Sequence, residues 1–420
     1  MDDSGKRMGC MGDWNMRWRL GKRLGLAGVL AIVLVAAVVP TSLFEKGKRP
    51  LRDVRASKVW KSEHHPLSAK QCKGCHRGVY RKWKASRHAK AWTNRLFAVA
   101  FHHSPYQWCV HCHAPLPEQK AHIRGPWSRK KRRGYGGNRT GSQATSSSKP
   151  SVSRETLQQT RGEKALLSEG INCAACHLRG GVLLASKPPS KAAKQAHPKI
   201  RWEPKLKRSS FCAGCHQFNF TKKLTDPTRV MQSPAQNTYK AWLQSHAKRK
   251  GKTCQSCHMK GGDHTTPGAH NLAFVRRAIT PKVLWKSDKM LHITFTSRNV
   301  GHPIPTGDPF RRLLLEVCPT PACKVVWWRR LLRKTFVFRN GEWFPHKDSR
   351  IPGPTSSATG LWKADVKLPI KAKSVFWRLR YFYAEYQHHQ FLLPSDISSV
   401  LFAQTLQRYG RPTSRKVGFK

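Results

Sequence analysis

"QCKGCHRGVYRKWKASRHAKAW", residues 71–92, contains Cys72 and Cys75 with two residues between them, and His76 directly after the second cysteine. In c-type haem attachment, both thiols bond to the haem vinyl groups and the adjacent histidine is held beneath the iron as an axial ligand. Structural zinc sites and disulfides also use C-x-x-C, but neither requires the histidine. The complete C-x-x-C-H pattern recurs at residues 109–113, 173–177, 212–216 and 254–258.

Five copies of the pattern predict five covalently attached c-type haems, and each copy supplies two attachment cysteines and one proximal iron ligand. The predicted attachment residues are Cys72, Cys75, Cys109, Cys112, Cys173, Cys176, Cys212, Cys215, Cys254 and Cys257. The predicted proximal ligands are His76, His113, His177, His216 and His258.

A second internal repeat suggests where the distal iron ligands lie. The segments "YRKWKASRHA" (80–89) and "YKAWLQSHA" (239–247) share a Tyr, a Trp and a Ser ahead of a His-Ala pair. Helical spacing puts the aromatic residues on one side and presents His88 and His246 toward an iron held by another segment. For any single histidine, the alternative is a surface or packing role. The further candidates for distal ligands are His197, His264, His270 and His302.

Methionine is scarce, so His/Met ligation can serve few of these haems. Outside the first 37 residues the methionines are Met231, Met259 and Met290. Bis-histidine ligation is therefore favoured, and without the potential-raising effect of methionine it predicts relatively low reduction potentials.

Three cysteines lie outside the attachment motifs: Cys10, Cys318 and Cys323. Cys318 begins and Cys323 ends the segment "CPTPAC", in which two prolines indicate a tight turn. Such a turn brings the thiols within bonding range, so we expect a disulfide between Cys318 and Cys323. The alternative is a pair of unpaired, buried thiols.

The start of the chain indicates export. A basic stretch precedes an uncharged apolar run at residues 24–39, and Val35-Ala36-Ala37 offers small residues for cleavage. We interpret residues 1–40 as a signal peptide or, if it is retained, as an inner-membrane anchor through residues 24–39. Haem attachment and a disulfide both suit an oxidising compartment, so the predicted location is the periplasm.

The chain is strongly basic, with 79 Lys and Arg against 21 Asp and Glu and a formal net charge of +58. A cationic field favours acidic protein partners, anionic membrane surfaces or small anions. A solvated basic surface without a specific role is the plainer interpretation of any single charge. Nucleic acid is not expected, because no recognition motif appears and the chain is predicted to be exported.

Two regions differ in sequence pattern. Residues 59–271 carry all five motifs and no long apolar periodicity, and a basic Gly/Ser/Thr-rich insertion at 128–155 indicates a flexible surface loop. After residue 271, apolar residues alternate with polar ones. Asn340-Gly341 separates two strand-like runs, which is typical of a hairpin. The predicted fold is therefore a mostly α or irregular multihaem cytochrome c domain followed by an antiparallel β-sandwich domain at 285–420.

The five motifs, the two Tyr-Trp-Ser-His segments and "CQSCHMKGGDHTTPGAHNLAFVRRA" (254–278) resemble periplasmic multihaem cytochromes related to the tetrahaem electron acceptor of hydroxylamine oxidation. "GHPIPTGDPFRRLLLEV" (301–317) resembles the start of a β domain appended to some of them. The resemblance covers about residues 60–420. It implies closely packed haems that pass electrons, with His88 and His246 as distal ligands. The fifth motif departs from the tetrahaem pattern.

The sequence favours an exported pentahaem cytochrome that transfers electrons between redox protein partners, which its charge predicts to be acidic. One alternative is a multihaem reductase of a small anion, of the nitrite or hydroxylamine type, with one haem open to substrate. Another is a docking subunit of a respiratory complex. Spin-state spectroscopy separates the first two hypotheses, and stable co-purification with a partner indicates the third.

Overall fold

The computed structural model describes residues 67–103, 105–121, 123, 161–222, 230–355, 358–384 and 386–408. The predicted signal or anchor segment, Cys10 and the insertion at 128–155 lie outside these ranges. All described residues belong to one compact unit, Gly47–Lys420. None of the helices in the described ranges is long and apolar enough to cross a membrane.

Short helices dominate residues 67–278, which we call the motif region. Its helices α1–α13 are Ala69–Cys72, Arg77–Ala85, Arg95–His103, Gln107–His113, Pro117–Ala121, Arg161–Ser168, Cys173–His177, Lys191–Ala196, Ser209–His216, Thr238–Leu243, His246–Arg249, Cys254–His258 and Leu272–Arg276. Helices of this length are unstable alone, so tertiary contacts must hold them.

Most attachment motifs form their own helical turns, and capping residues start several of them. The Asn172 side chain accepts a hydrogen bond from Ala175 N at the start of α7, and Thr253 accepts one from Ser256 N at the start of α12. A capped turn of this kind satisfies backbone N–H groups that would otherwise lack partners. It also places both cysteines of a motif and the following histidine on one short element.

The motif region contains five short strands. Strands β1–β5 are Leu178–Arg179, Val182–Ala185, Ile200–Trp202, Gln217–Thr221 and Val230–Asn237. The first two pair antiparallel, β2 pairs parallel with β3, and β4 pairs antiparallel with β5.

Residues 279–408, which we call the β region, form antiparallel sheets, as the alternating pattern predicts. Strands β6–β14 are Ile279–Ser287, Met290–Ser297, Arg312–Cys318, Trp328–Leu332, Lys334–Arg339, Glu342–Asp348, Leu361–Lys367, Ser374–Phe382 and Ser398–Gln407, and α14 is Pro394–Ile397. One sheet has the order β12-β7-β6 and a second the order β14-β13-β8-β9, while β10 and β11 form a hairpin.

The two larger sheets share one hydrophobic core. Leu291, Ile293 and Phe295 of β7 and Leu313 and Leu315 of β8 are fully buried in it. The alternation of buried and exposed residues along β7 follows the two-residue period of a strand with one face covered. The sandwich arrangement and the domain boundaries at 271 and 285 stay predictions.

The hairpin and the disulfide are local features of the β region. Asn340 and Gly341 have φ angles of 50° and 74° and connect β10 to β11, which suits the positive-φ turn that Asn-Gly favours. The structure links Cys318 to Cys323, with a Cα–Cα distance of 5.3 Å, directly after β8. The bond therefore closes the connection between β8 and the edge strand β9.

The motif region packs directly against the β core. Leu96 of α3, Ala269 and Leu272 contact the core cluster, and the Tyr383 hydroxyl donates a hydrogen bond to Ala269 O at 3.3 Å. His246 N also donates to Pro354 O at 3.0 Å. These contacts bring the β region within reach of the predicted iron ligands.

Candidate haem sites

Each attachment motif defines one site, numbered in chain order by its proximal histidine. Sites 1 to 5 contain His76, His113, His177, His216 and His258 respectively. In three of them, Nδ1 of the histidine lies close to a backbone oxygen: His113 to Ala91 O at 2.7 Å, His177 to Leu184 O at 2.9 Å and His258 to Pro267 O at 2.7 Å. Such a contact holds the proton on Nδ1 and leaves Nε2 to bind a metal.

At site 4 a side chain, and not a backbone oxygen, contacts the proximal ring. The Gln236 amide nitrogen lies 3.0 Å from His216 Nδ1, and since an amide nitrogen only donates, Nδ1 is the acceptor in this contact. Gln236 is buried on β5, the strand that pairs with β4 immediately after this motif. Strand pairing therefore orients the proximal ring of site 4.

Four of the five proximal histidines face a second histidine ring at nearly the same distance. The centroid distances are 6.1 Å for His76–His197, 6.3 Å for His177–His264, 6.4 Å for His88–His216 and 6.3 Å for His258–His302. The second histidine comes in each case from a segment distant in sequence, and His302 comes from the β region.

This distance fits one iron between two imidazoles. Metal–imidazole bonds are about 2 Å long and the bonding nitrogen lies about 1 Å from its ring centre, so two axial histidines have centroids about 6 Å apart. Direct ring stacking gives a shorter separation, as for His113 and Phe97, whose centroids are 3.8 Å apart. The residues present therefore fit bis-histidine ligation at sites 1, 3, 4 and 5.

Burial keeps several of these imidazoles neutral, which is the form that binds a metal. It lowers the pKa of His216 to about 3, and it lowers the pKa of His113 and of His302 to about 4. The same cause lowers the pKa of His88 and of His177.

Site 2 differs from the other four sites. The ring that contacts His113 in the described structure is Phe97, which stacks on it at an interplanar angle of 9°. Phe97 belongs to α3, whose residues Leu96 and His103 contact the β region. Among the described residues, no second histidine faces His113 at the iron-spanning distance.

Two predicted distal ligands do not face a proximal histidine. The His246 side chain is exposed, and its Nδ1 lies 3.1 Å from Arg249 Nη2. His270 stacks on Tyr383 with ring centroids 4.0 Å apart, and burial lowers its pKa to about 3. In the described structure His88, His197, His264 and His302 each face a proximal histidine, whereas His246 and His270 do not. The assignment of all six as distal ligands stays a prediction.

The repeat containing His246 nevertheless folds like the one containing His88. Rings Tyr80 and Trp83 lie 5.5 Å apart, and rings Tyr239 and Trp242 lie 5.6 Å apart. Each indole donates to the carbonyl oxygen two residues before an attachment motif: Trp83 to Ile171 O at 2.8 Å, and Trp242 to Lys252 O at 2.9 Å. The two segments are thus structural repeats, each docked against a motif.

The two histidines differ in their local backbone. His88 follows Ser86 after one intervening residue and lies in a turn beyond α2, whereas His246 follows Ser245 directly. Ser245 caps α11, which makes His246 its first residue. The shared sequence pattern therefore does not give the two histidines the same setting.

Contacts between attachment cysteines show which sites are neighbours. The thiols of Cys72 and Cys173 are hydrogen-bonded, which lowers the pKa of Cys72 and raises that of Cys173, so sites 1 and 3 adjoin. A hydrogen bond with Cys212 likewise lowers the pKa of Cys254 to about 6, so sites 4 and 5 adjoin.

Site 4 has two further neighbours. A hydrogen bond between Cys112 and Cys215 raises the pKa of Cys215 and joins site 2 to site 4. Burial raises the pKa of Cys176 to about 11, against the lowering effect of Arg179. Cys215 is a further charged neighbour of Cys176, which brings site 3 beside site 4. The sites therefore form a line in the order 1, 3, 4 and 5, with site 2 branching from site 4.

Exposure distinguishes the ends of this line. Cys75 of site 1 and Cys257 of site 5 are exposed, whereas the other eight attachment cysteines are partly buried. Thioether bonds at Cys75 and Cys257 would place a haem edge near the surface.

Comparison with known proteins finds a solved structure of similar fold. No protein-family model matches the chain, and no curated protein matches it. Its fold is that of a multihaem c-type cytochrome. The solved structure it resembles is the penta-heme cytochrome c552 from Thermochromatium tepidum, with a TM-score of 0.57 and 19% sequence identity over 82% of this chain and 100% of that chain.

Several residues of the sites carry no signal that sequence reasoning detects. Gln236 and Phe97 contact proximal rings from separate elements, and backbone carbonyls at Ala91, Leu184 and Pro267 orient others. A backbone acceptor is available at any residue, so its selection depends on the fold alone.

Proposed function

We propose that this protein is an exported pentahaem c-type cytochrome that transfers electrons between redox protein partners. The observation that carries the proposal is the set of four histidine pairs at 6.1–6.4 Å, each of which includes the histidine of an attachment motif. Bound c-type haem supplies one-electron exchange between ferric and ferrous iron.

The residues of the chain position the haems and control their surroundings. The cysteines would hold each haem covalently, and the histidine pairs would bind the iron at four sites. Residues that hold Nδ1, such as Gln236 and the carbonyl groups, set ring orientation. Bis-histidine ligation without methionine supports relatively low reduction potentials.

The contacts between sites support a route through the protein. Electrons pass along sites 1, 3, 4 and 5, because the attachment cysteines of each successive pair lie close together. The exposed ends, at Cys75 and Cys257, are the points of exchange with partners. The periplasmic location, acidic redox partners and membrane attachment through residues 24–39 belong to this proposal, and the basic composition and apolar run support them.

Electron transfer is tested by reducing the purified haem-containing protein and mixing it with a one-electron acceptor protein. We expect full reoxidation by the acceptor, and no turnover when nitrite or hydroxylamine is supplied instead. Rapid, saturable reoxidation by either compound would contradict the carrier function.

Site 2 favours a second candidate function, reduction of a small anion. At this site His113 is contacted by Phe97, while the other four sites bring a second histidine opposite the first. A haem held there has a face on which a substrate can bind, and the cationic chain attracts anions. A His113→Ala variant separates the two functions, because a carrier loses the site 2 haem signal alone, whereas a reductase loses turnover.

A further inference from the structure

Among the attachment sites of the described structure, the one at Cys75 has the longest run of exposed residues. Residues 73–79 are all exposed, and this run includes Lys73, Cys75 and Arg77. The neighbouring helix α2 has its Trp83 side buried and carries Arg81 and Lys84 on its exposed face. An exposed thioether at Cys75 would therefore lie among cations.

Charge on this surface is positive except at Asp263, which approaches α2 from another segment. Residues 67–117 contain no Asp or Glu. Lys82 of α2 pairs with Asp263 at 4.0 Å, and no carboxylate within the described residues pairs with Lys73, Arg77 or Arg81 at salt-bridge distance. Since these side chains are solvated and not neutralised by neighbours, they project a positive potential from the exposed end of the haem line.

From these observations we infer that a small acidic redox protein docks on α1 and α2 at Lys73, Arg77 and Arg81 and exchanges an electron at site 1. The inference rests on the proposed electron-transfer function and assigns the docking face of its partner. One electron moves between the reduced group of the partner and the iron held at His76, and no bond or proton is exchanged.

Charge complementarity selects this occupant over the alternatives. Few apolar side chains lie between the exposed cations of this face, and one of them, Val79, is 41% exposed. The face therefore lacks the apolar area that would favour binding to a membrane. A redox partner needs brief contact with a reactive edge, and electrostatic steering supplies speed without tight binding.

Site 5 offers the competing end of the line. Three exposed lysines, Lys248, Lys250 and Lys252, precede the exposed Cys257 in sequence. Asp263 follows a few residues after this cysteine. Docking at site 1 is favoured because its segment lacks acidic residues, and because Pro267 and His302 surround His258 at site 5. The two ends are compared directly in the test.

The experiment uses the haem-containing full chain and three triple variants with equal change in charge. One carries Lys73→Glu, Arg77→Glu and Arg81→Glu, and a second carries Lys248→Glu, Lys250→Glu and Lys252→Glu. The control variant carries Arg329→Glu, Arg330→Glu and Arg333→Glu, exposed residues on and beside β9 with no attachment motif nearby. Intact mass and the optical spectrum verify that each variant keeps its haems.

Stopped-flow mixing with reduced flavodoxin, a small acidic electron donor, gives the second-order rate constant at low ionic strength. We expect the site 1 variant to react about tenfold more slowly and with a weaker salt dependence, and the control to stay within about twofold. A neutral reduced flavin should reduce all variants equally.

Equal slowing of all three variants, or greater slowing of the site 5 variant, would overturn docking at site 1 while leaving electron transfer intact. Absence of haem reduction by both donors would instead overturn the proposed function, and the docking inference with it.

Discussion

The motif region and the β region are stabilised in different ways. The β region is built on one core cluster of 21 buried residues, to which both large sheets contribute and to which the motif region adds Val275. The motif region has three small clusters of four, four and three buried residues, among them Leu116, Val110 and Trp83. Since apolar burial is the dominant favourable term in folding, the motif region depends on its bound haems for packing that the β region obtains from its own side chains.

The largest effect is expected from removing the central haem. Replacing Cys212 and Cys215 with Ala removes site 4, which adjoins sites 2, 3 and 5 through their cysteines. We expect fewer than four haems to remain, because the neighbouring sites lose packing as well as ligands. Intact mass of the denatured protein counts them.

The matched control replaces Cys72 and Cys75 at the end of the line. Site 1 adjoins site 3 through Cys173, so we expect four haems to remain in this variant. Equal haem loss from both variants would mean that the central position of site 4 has no structural consequence.

A smaller effect, confined to one haem, is expected at the link between the two regions. The variant His302→Ala removes the β-region histidine that faces His258 at 6.3 Å. We expect one additional haem to become high-spin, with all five haems retained, because the proximal ligand and both thioethers are unchanged.

Electron paramagnetic resonance measures this change against a His292→Ala control. His292 lies on β7 beside Asp365, with the two side chains 2.6 Å apart, and is remote in sequence from every motif. An unchanged spectrum in His302→Ala would remove His302 from the ligand set.

Core truncation probes the β region alone. Leu315 is fully buried in the core cluster, so Leu315→Ala should destabilise this region by about 2–5 kcal/mol. Leu331→Ala on the neighbouring strand β9, where the side chain is 40% exposed, should cost less than about 0.5 kcal/mol. Hydrogen exchange of β8 and β13 reports the difference, and similar protection in both variants would contradict a self-sufficient core.

The smallest of these effects is expected from the disulfide. Replacing Cys318 and Cys323 with Ser opens a loop of sequence separation 5, and the chain-entropy model gives about 2 kcal/mol for so short a loop. Urea unfolding of the β region should shift accordingly, while haem content and spectra stay unchanged. A loss of haem in this variant would show that the two regions are coupled more tightly than their contacts suggest.

The same comparison explains what was predictable from sequence. Attachment motifs and alternating strands are local patterns, so the antiparallel β region and the Asn340-Gly341 turn follow from short stretches. The predicted distal ligands are not a local pattern, because His197, His264 and His302 face proximal histidines of distant motifs. His246 shows the limit most clearly, since its segment repeats that of His88 with one residue fewer before the histidine, yet its side chain is exposed while His88 faces His216.

The order of the sites is also a property of the fold. Site 2 precedes site 3 in sequence, yet it adjoins site 4 through Cys112 and Cys215. No spacing within the chain encodes this, because the motifs are separated by long stretches of sequence.

Counting haems and their spin states in one oxidised sample tests the proposed cofactor arrangement most directly. Intact mass gives the number of attached haems, and electron paramagnetic resonance with spin integration gives their ligation. We expect five haems per chain, four of them low-spin from the histidine pairs at sites 1, 3, 4 and 5 and one high-spin at site 2. Fewer than four attached haems, or a majority of high-spin haems, would contradict this arrangement.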